Sequence, residues 1–229
     1  MRFFSLICIV VFIIGSVGAF AQGEYLEKGQ NGFGGEFRAI WSPDEFQGVE
    51  LVTGYSIAGI LDIGFDLGYS LGEISGDSSS ELSLGFAYNV NILKQSRRVP
   101  LSLQVTGSYG LVNVRSDYLE TQNWERSATG YTIGVNLSRS FRLTSFWLLH
   151  LNGLVDYESF TYTTTDPAAV PPTPTTVQEY VRDLFFGGGV GFLFVFPKGQ
   201  TLAIRAEVRA DEDLALQIHP VIGAAFPQK

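Results

Sequence analysis

Two histidines, His150 and His219, are the only imidazoles in this 229-residue chain, and with the acids they are its first candidates for acid–base chemistry. Asp156 lies six residues beyond His150. On an extended strand six residues span roughly 20 Å, so those two cannot hydrogen-bond directly. The chain has no G-x-S-x-G elbow and no H-E-x-x-H helix, the spacings that build a serine nucleophile or a zinc site. The run Gly187-Gly188-Gly189-Val190-Gly191 lacks the Lys-Ser/Thr that completes a phosphate loop. It reads instead as a strand that bends, or one that leaves room for long side chains opposite. No catalytic residue, metal ligand or cofactor follows from these positions, and enzymatic activity is not expected.

A second group is more informative. Glu36, Arg38, Glu50, Asp62, Asp66, Glu81, Asp156, Arg205, Glu207 and Arg209 all fall on the inward, polar parity of the segments that alternate. Charges on one face of a sheet that curls into a tube must pair with each other or be hydrated. Either they lock into an ion-paired plug, or they line a narrow watered path.

The elements that would position them have a two-residue period. Leu61, Ile63, Phe65, Leu67, Tyr69 and Leu71 alternate with Asp62, Gly64, Asp66, Gly68 and Ser70. The pattern recurs at Leu82–Val90, Leu101–Leu111, Tyr131–Leu137 and Leu202–Ala210, and less cleanly at Phe33–Trp41, Val49–Ile57, Phe146–Tyr157, Asp183–Phe196 and Leu214–Phe226. This gives about ten strands, with eight as the alternative, near the ~9–11 residues a tilted membrane-crossing strand needs. The expected fold is all-β: a closed antiparallel up-and-down transmembrane barrel. Pro220 is a misfit in the last strand, where it costs a ladder bond unless the strand bulges.

Alternation alone does not choose the inner face, because a soluble barrel would bury the apolar side. Lys28, Lys94, Lys198 and Lys229 all lie outside the strands, whereas a solvated sheet face carries lysine in number. The polar face is mostly Gly, Ser, Ala, Thr and Asn, which suits a crowded barrel interior. With the N-terminus in the periplasm, Trp41, Tyr69, Tyr109, Tyr131 and Tyr157 form an outer girdle, and Tyr55, Tyr88, Trp147 and Phe196 an inner one. The longer connections, Gly72–Ser80, Asn113–Ser127 and Glu158–Arg182, are then outer loops. Within the last, residues 161–176 are rich in Thr and Pro and are expected to be a mobile cover without structural load, or a contact site for an extracellular ligand.

Export is expected from the first residues. Arg2 precedes an apolar run ending in Ala19-Phe20-Ala21, the layout of a signal peptide cut before Gln22. Residues 22–229 would form one barrel domain. The only Cys is Cys8, inside the signal, so the mature chain has no disulfide. A net charge of −8 argues against nucleic acid as a partner.

The signal, the alternating strands and a final strand ending in Phe226 resemble the small outer-membrane barrels of the OmpX/OmpW-like group. The resemblance covers the whole mature chain and rests on pattern. It implies outer-membrane lipid as solvent, the barrel-assembly machinery as a partner in biogenesis, periplasmic termini, and a structural or surface-interaction role with a closed or nearly closed lumen. A narrow solute channel is the alternative. The group also includes membrane hydrolases with His, Ser or Asp near the outer rim, a less favoured third reading. In that group the last residue is commonly aromatic; here Pro227-Gln228-Lys229 follow Phe226.

Overall fold

The computed structural model describes Leu26 and residues 29–42, 46–96, 99–166 and 175–228. The proposed signal peptide, Lys28, Lys229 and residues 167–174 lie outside them. Ten strands run β1 Gly32–Trp41, β2 Phe46–Ile57, β3 Leu61–Ile74, β4 Asp77–Leu93, β5 Ser102–Ser116, β6 Glu125–Arg142, β7 Trp147–Asp166, β8 Thr175–Val195, β9 Thr201–Ala210 and β10 Leu216–Pro227. A short helix, α1, covers Asp117–Gln122 between β5 and β6. Each strand pairs antiparallel with its sequence neighbours, and β10 pairs with β1 from Gly32↔Pro227 to Trp41↔Ile218, which closes the barrel.

Pro220 does not bulge the closing strand. It is matched to Ala206 of β9. On the β1 side the ladder runs to Arg38↔Val221 and resumes at Trp41↔Ile218 in the same register. The missing N–H is absorbed as a gap in the ladder, with no residue inserted.

The strands on one side are longer than their alternation suggested. Residues 72–80 are not a loop: β3 and β4 pair through Ile74↔Asp77 across a two-residue turn. Ser75 and Gly76 both have positive φ, 53° and 90°, as the hairpin-favouring type I′ turn requires. Nor do Thr161–Asp166 float free; they are the end of β7, paired with β8 through Asp166↔Thr175. Threonine is β-branched and favours strands, which outweighs the low complexity of the segment. The expectation that residues 161–176 carry no load is corrected for the part described. The outer-girdle tyrosines accordingly sit in mid-strand, with more sheet above them.

The barrel is inside out relative to a soluble protein. Phe65 is 66% exposed, Leu84 57%, Leu111 55% and Ile222 50%, all on the outer face. Glu36, Asp62, Gln104, His150, Arg205, Glu207 and His219 are buried within. An apolar belt encircling the molecule far exceeds what soluble monomers expose.

Above the girdle this sidedness inverts. Past Leu111 on β5 and Tyr131 on β6 the outward residues are polar: Asn113, Arg115, Ser127 and Thr129 are all exposed. The inward residues turn apolar, and Val112, Val114 and Ala128 form a small core with Leu119 of α1. Phe160, Tyr162 and Trp124 pack against it. Ser116 caps α1 by accepting a hydrogen bond from the Leu119 N–H at 3.2 Å, and Asn123 ends it in the left-handed conformation.

Phe65→Arg is expected to destabilise the barrel folded in lipid vesicles by about 2–4 kcal/mol, since the charge enters the apolar belt. Thr129→Arg, on the same face but above the girdle, should cost far less. Urea titration of both variants measures the contrast, and equal costs would remove the belt as a lipid-facing surface.

Candidate functional site

Among the described residues, the lumen is where the strands bring most charged groups together. Most of its charge comes from the seam, where β1, β2, β9 and β10 meet. Glu36 and Arg38 alternate inward on β1, and Arg205, Glu207 and Arg209 on β9. Arg205 is gripped by Glu36 through a short charged hydrogen bond, and its guanidinium lies 3.5 Å from Glu207. All three are buried. Arg38 donates to Glu50 of β2 at 2.5 Å and lies 3.8 Å from Glu36. Arg209 reaches over Gly187 of β8 to the next strand, 3.2 Å from Asp156 of β7. Asn152 adds a donor to Glu207 at 3.3 Å. Such charges are tenable away from water because Glu36, Arg205 and Glu207 each have more than one partner.

Glycines make the space. Gly187, Gly189 and Gly191 of β8 stand directly across from Arg209, Glu207 and Arg205. A methyl at Gly191 would meet Arg205 Cγ at 2.5 Å, and one at Gly189 would meet Glu207 Cγ at 2.8 Å. The glycine run therefore makes room for long charged side chains leaning across the lumen, one of the two uses expected of it.

The same charged side chains line one side of a cavity of about 530 Å³. We call it the cup. Its rim includes Gln47, Ser70, Glu158 and Phe160, and its lining ends at Asn89, Gln104 and Asn136. Beneath, the lumen is filled. Gln104 donates to Asn91 at 2.8 Å and accepts from Asn136 at 3.2 Å. Ser140 and His150 Nδ1 are 3.0 Å apart. At the end bearing the termini, Leu26 is buried in contact with Ala225, an inward residue of β10, and the Lys94 ammonium holds the Leu26 carbonyl.

The expected cluster divides by height. Glu36, Arg38, Glu50, Asp66, Arg205, Glu207 and Arg209 all line the cup. Asp62 is buried lower, beside Gly34 and Asn89. Glu81 belongs to the upper sheet, where Tyr162 donates to it at 3.5 Å. The two histidines are separate: His150 is in the filled half, and His219 faces the cup. Asp156 is engaged by Arg209 and not by His150. Glu158, Leu26 and the Asn91–Gln104–Asn136 chain did not stand out in the sequence. Glu158 shares the parity of Asp156 two residues earlier, and extending that strand by one repeat places it inside.

The girdle residues keep their outward parity. Tyr131 and Tyr157 pack at 6.3 Å, and Trp147 lies 4.6 Å from Phe194 and 6.0 Å from Phe192. Tyr55 stands edge-on to Phe33 at 4.7 Å. Tyr88 folds over Gly107, where a Cβ would fall 2.4 Å from the ring. Trp41, Tyr69, Tyr109 and Phe196 are exposed.

No protein-family model matches the chain, and no curated protein matches it. Among solved structures, it is similar to the β-domain of the Bordetella autotransporter BrkA, at 13% identity over 86% of this chain and 99% of that one, with a TM-score of 0.41. The translocator domain of the autotransporter NalP from Neisseria meningitidis matches at 10% identity over 86% of each chain, TM-score 0.44. The CymD monoaromatic hydrocarbon channel matches at 10% identity over 93% of each chain, TM-score 0.35.

Arg205→Gln should cost about 3–5 kcal/mol of folding stability, because it takes from buried Glu36 and Glu207 their nearest cation and leaves only the more distant Arg38 and Arg209. Adding Glu36→Gln should return part of that loss, giving a favourable coupling in a double-mutant cycle. Additive costs would mean the two side chains do not interact.

Proposed function

We propose that this protein is an integral β-barrel of the bacterial outer membrane, with both termini on the periplasmic side, a lumen closed to flow, and a structural or surface-interaction role rather than a catalytic one. The observation that carries this reading is the inversion of sidedness at the Tyr109–Tyr131 level. Below it the outer face is apolar and the inner face polar; beyond Leu111 on β5 and Tyr131 on β6 the outward residues are polar, while Val112, Val114 and Ala128 turn inward into an apolar cluster. A chain makes that switch where its solvent changes from hydrocarbon to water. Ten closed strands satisfy the backbone throughout the belt.

The taller hairpins rise on the side away from the termini, which matches the long surface loops and short periplasmic turns of outer-membrane barrels. Similarity to the OmpX/OmpW-like group is part of this proposal, as are lipid and the assembly machinery as partners. The upper sheet and α1 supply the exposed surface on which an extracellular ligand would bind. The buried arginine layer, the amide chain below it and Leu26 support a closed lumen. The cup is the observation that favours the second reading, a narrow channel.

The mature chain has no native cysteine, so Gln178→Cys and Lys198→Cys report topology directly. A bulky polyethylene-glycol maleimide should label position 178 on intact cells and position 198 only after the outer membrane is broken. The reverse pattern would invert the orientation. In planar bilayers the purified barrel should give no stepwise conductance; steady unitary currents would establish the channel instead.

A further inference from the structure

One charge stands on the outer wall of the belt. From the level of Tyr131 and Tyr157 down to the turns at the end bearing the termini, the outward positions of the described strands are apolar, aromatic or small, apart from Thr53 and Arg139. Arg139 follows Leu137 on β6, stands beside Leu151 of β7 and precedes Phe141 on the same face. All four are exposed. A cation on that face is unfavourable by an amount that falls towards the membrane boundary. The side chain leans that way. Its guanidinium carbon lies 4.5 Å from the Phe141 ring centroid, one repeat nearer the turn. Stacking on the ring uses the guanidinium face and leaves its N–H donors unspent. Among the described residues Arg139 has no hydrogen-bond or ion-pair partner.

Two further observations bear on what takes those donors. The chain carries a net charge of −8, yet the four turns at this end are basic. Residues 58–60, 94–101, 143–146 and 196–200 contain Lys94, Arg97, Arg98 and Lys198 and no Asp or Glu. The β9–β10 turn at the other end holds Asp211, Glu212 and Asp213. The backbone beside Arg139 is also pinned. Gln95 of the β4–β5 turn donates to the Ser140 carbonyl and accepts from the Ser140 N–H, both at 2.6 Å. A fixed guanidinium fork on an apolar wall, at the basic end of an acidic chain, matches an acceptor that is itself anionic and lipid-borne.

We propose that Arg139 and the adjoining Phe141 form a binding site for an anionic glycerophospholipid of the periplasmic leaflet. The guanidinium holds the lipid phosphate, and the acyl chains lie along Leu137 and Leu151. Zwitterionic lipids offer the same phosphate but bring their own cation to it. The site rests on the membrane reading above.

Trp147 reports on this place. It is outward on β7, next to Leu149, which is the partner of Phe141 across the ladder. The test uses the mature barrel with Trp41→Phe and Trp124→Phe, folded into phosphatidylcholine vesicles. Those vesicles carry equal shares of either acyl-brominated phosphatidylglycerol or acyl-brominated phosphatidylcholine. Bromine quenches tryptophan on contact. Quenching of Trp147 should show about a threefold to fivefold preference for phosphatidylglycerol. Arg139→Gln should bring the two curves together, and Lys198→Gln, in a turn of the same end, should leave them apart. If Arg139→Gln does not fold, Arg139→Leu serves in its place. If the two Phe substitutions prevent folding, the difference between wild type and Trp147→Phe gives the same reading. Equal quenching by both lipids overturns the site and leaves the barrel reading standing. So does a preference that survives Arg139→Gln or that Lys198→Gln removes as fully, since it then belongs to the basic end as a whole. Quenching by neither lipid puts Trp147 outside the membrane and overturns both.

Discussion

Closure of the sheet is the constraint on which everything else depends. A barrel wall standing in lipid has no water to satisfy its backbone, so each strand must find partners on both sides. The β1–β10 ladder completes the ring, and its registration fixes which residues meet inside the seam. Once the ring is closed, a period of two becomes a division between two solvents. Phe65 faces one and Asp66 the other, and a slip of one residue would exchange them.

Closure also creates the problem that the glycines solve. A narrow ring leaves little room inside, and β1 and β9 together send five charged side chains into it. Arg205, Glu207 and Arg209 fit because their neighbours across the β8 ladder are Gly191, Gly189 and Gly187. Glu36 fits against Gly223 in the same way, since a Cβ there would be 3.0 Å from Glu36 Cγ. Small residues on β8 and β10 are thus matched to large ones on β9 and β1, strand by strand. The ion pairs then satisfy charges that could otherwise not be held away from bulk water.

Much of this was legible in the sequence because the signal was periodic. Leu61–Leu71 alternates without a break, and its apolar parity is the exposed parity in the structure. The charged residues assigned inward by parity are inward, and the seam cluster assembles. What was not legible lies where two principles compete. Thr161–Thr165 has a composition that reads as disordered, yet β-branched residues facing an established partner strand extend the ladder. Val112, Val114 and Ala128 reverse the membrane pattern, so a ruler tuned to apolar-out positions loses the strand there. The ion-pair partners were also hidden: parity says that Arg209 points inward, but only the strand order and the small Gly187 between them bring Asp156 of β7 to it across β8.

The upper sheet shows how the barrel handles the edge that closure does not reach. β9 ends at Ala210, opposite Phe186, so β8 from Thr175 to Phe185 pairs with β7 alone. An open edge is a template for unwanted pairing, and Val177 and Tyr180 on it are 61% and 63% exposed. Charge interrupts the stretch. Glu179 pairs with Arg126 at 2.7 Å, and Arg182 and Asp183 follow within four residues. Arg126 in turn stacks 4.8 Å from the Tyr162 ring centroid, tying the edge to the core beneath α1. The free strand is therefore anchored on its inner face and broken by charge along its length. In the membrane reading proposed above, it can stand without a β9 partner for the same reason that the strands below it cannot: only above the girdle would water satisfy the unpaired backbone.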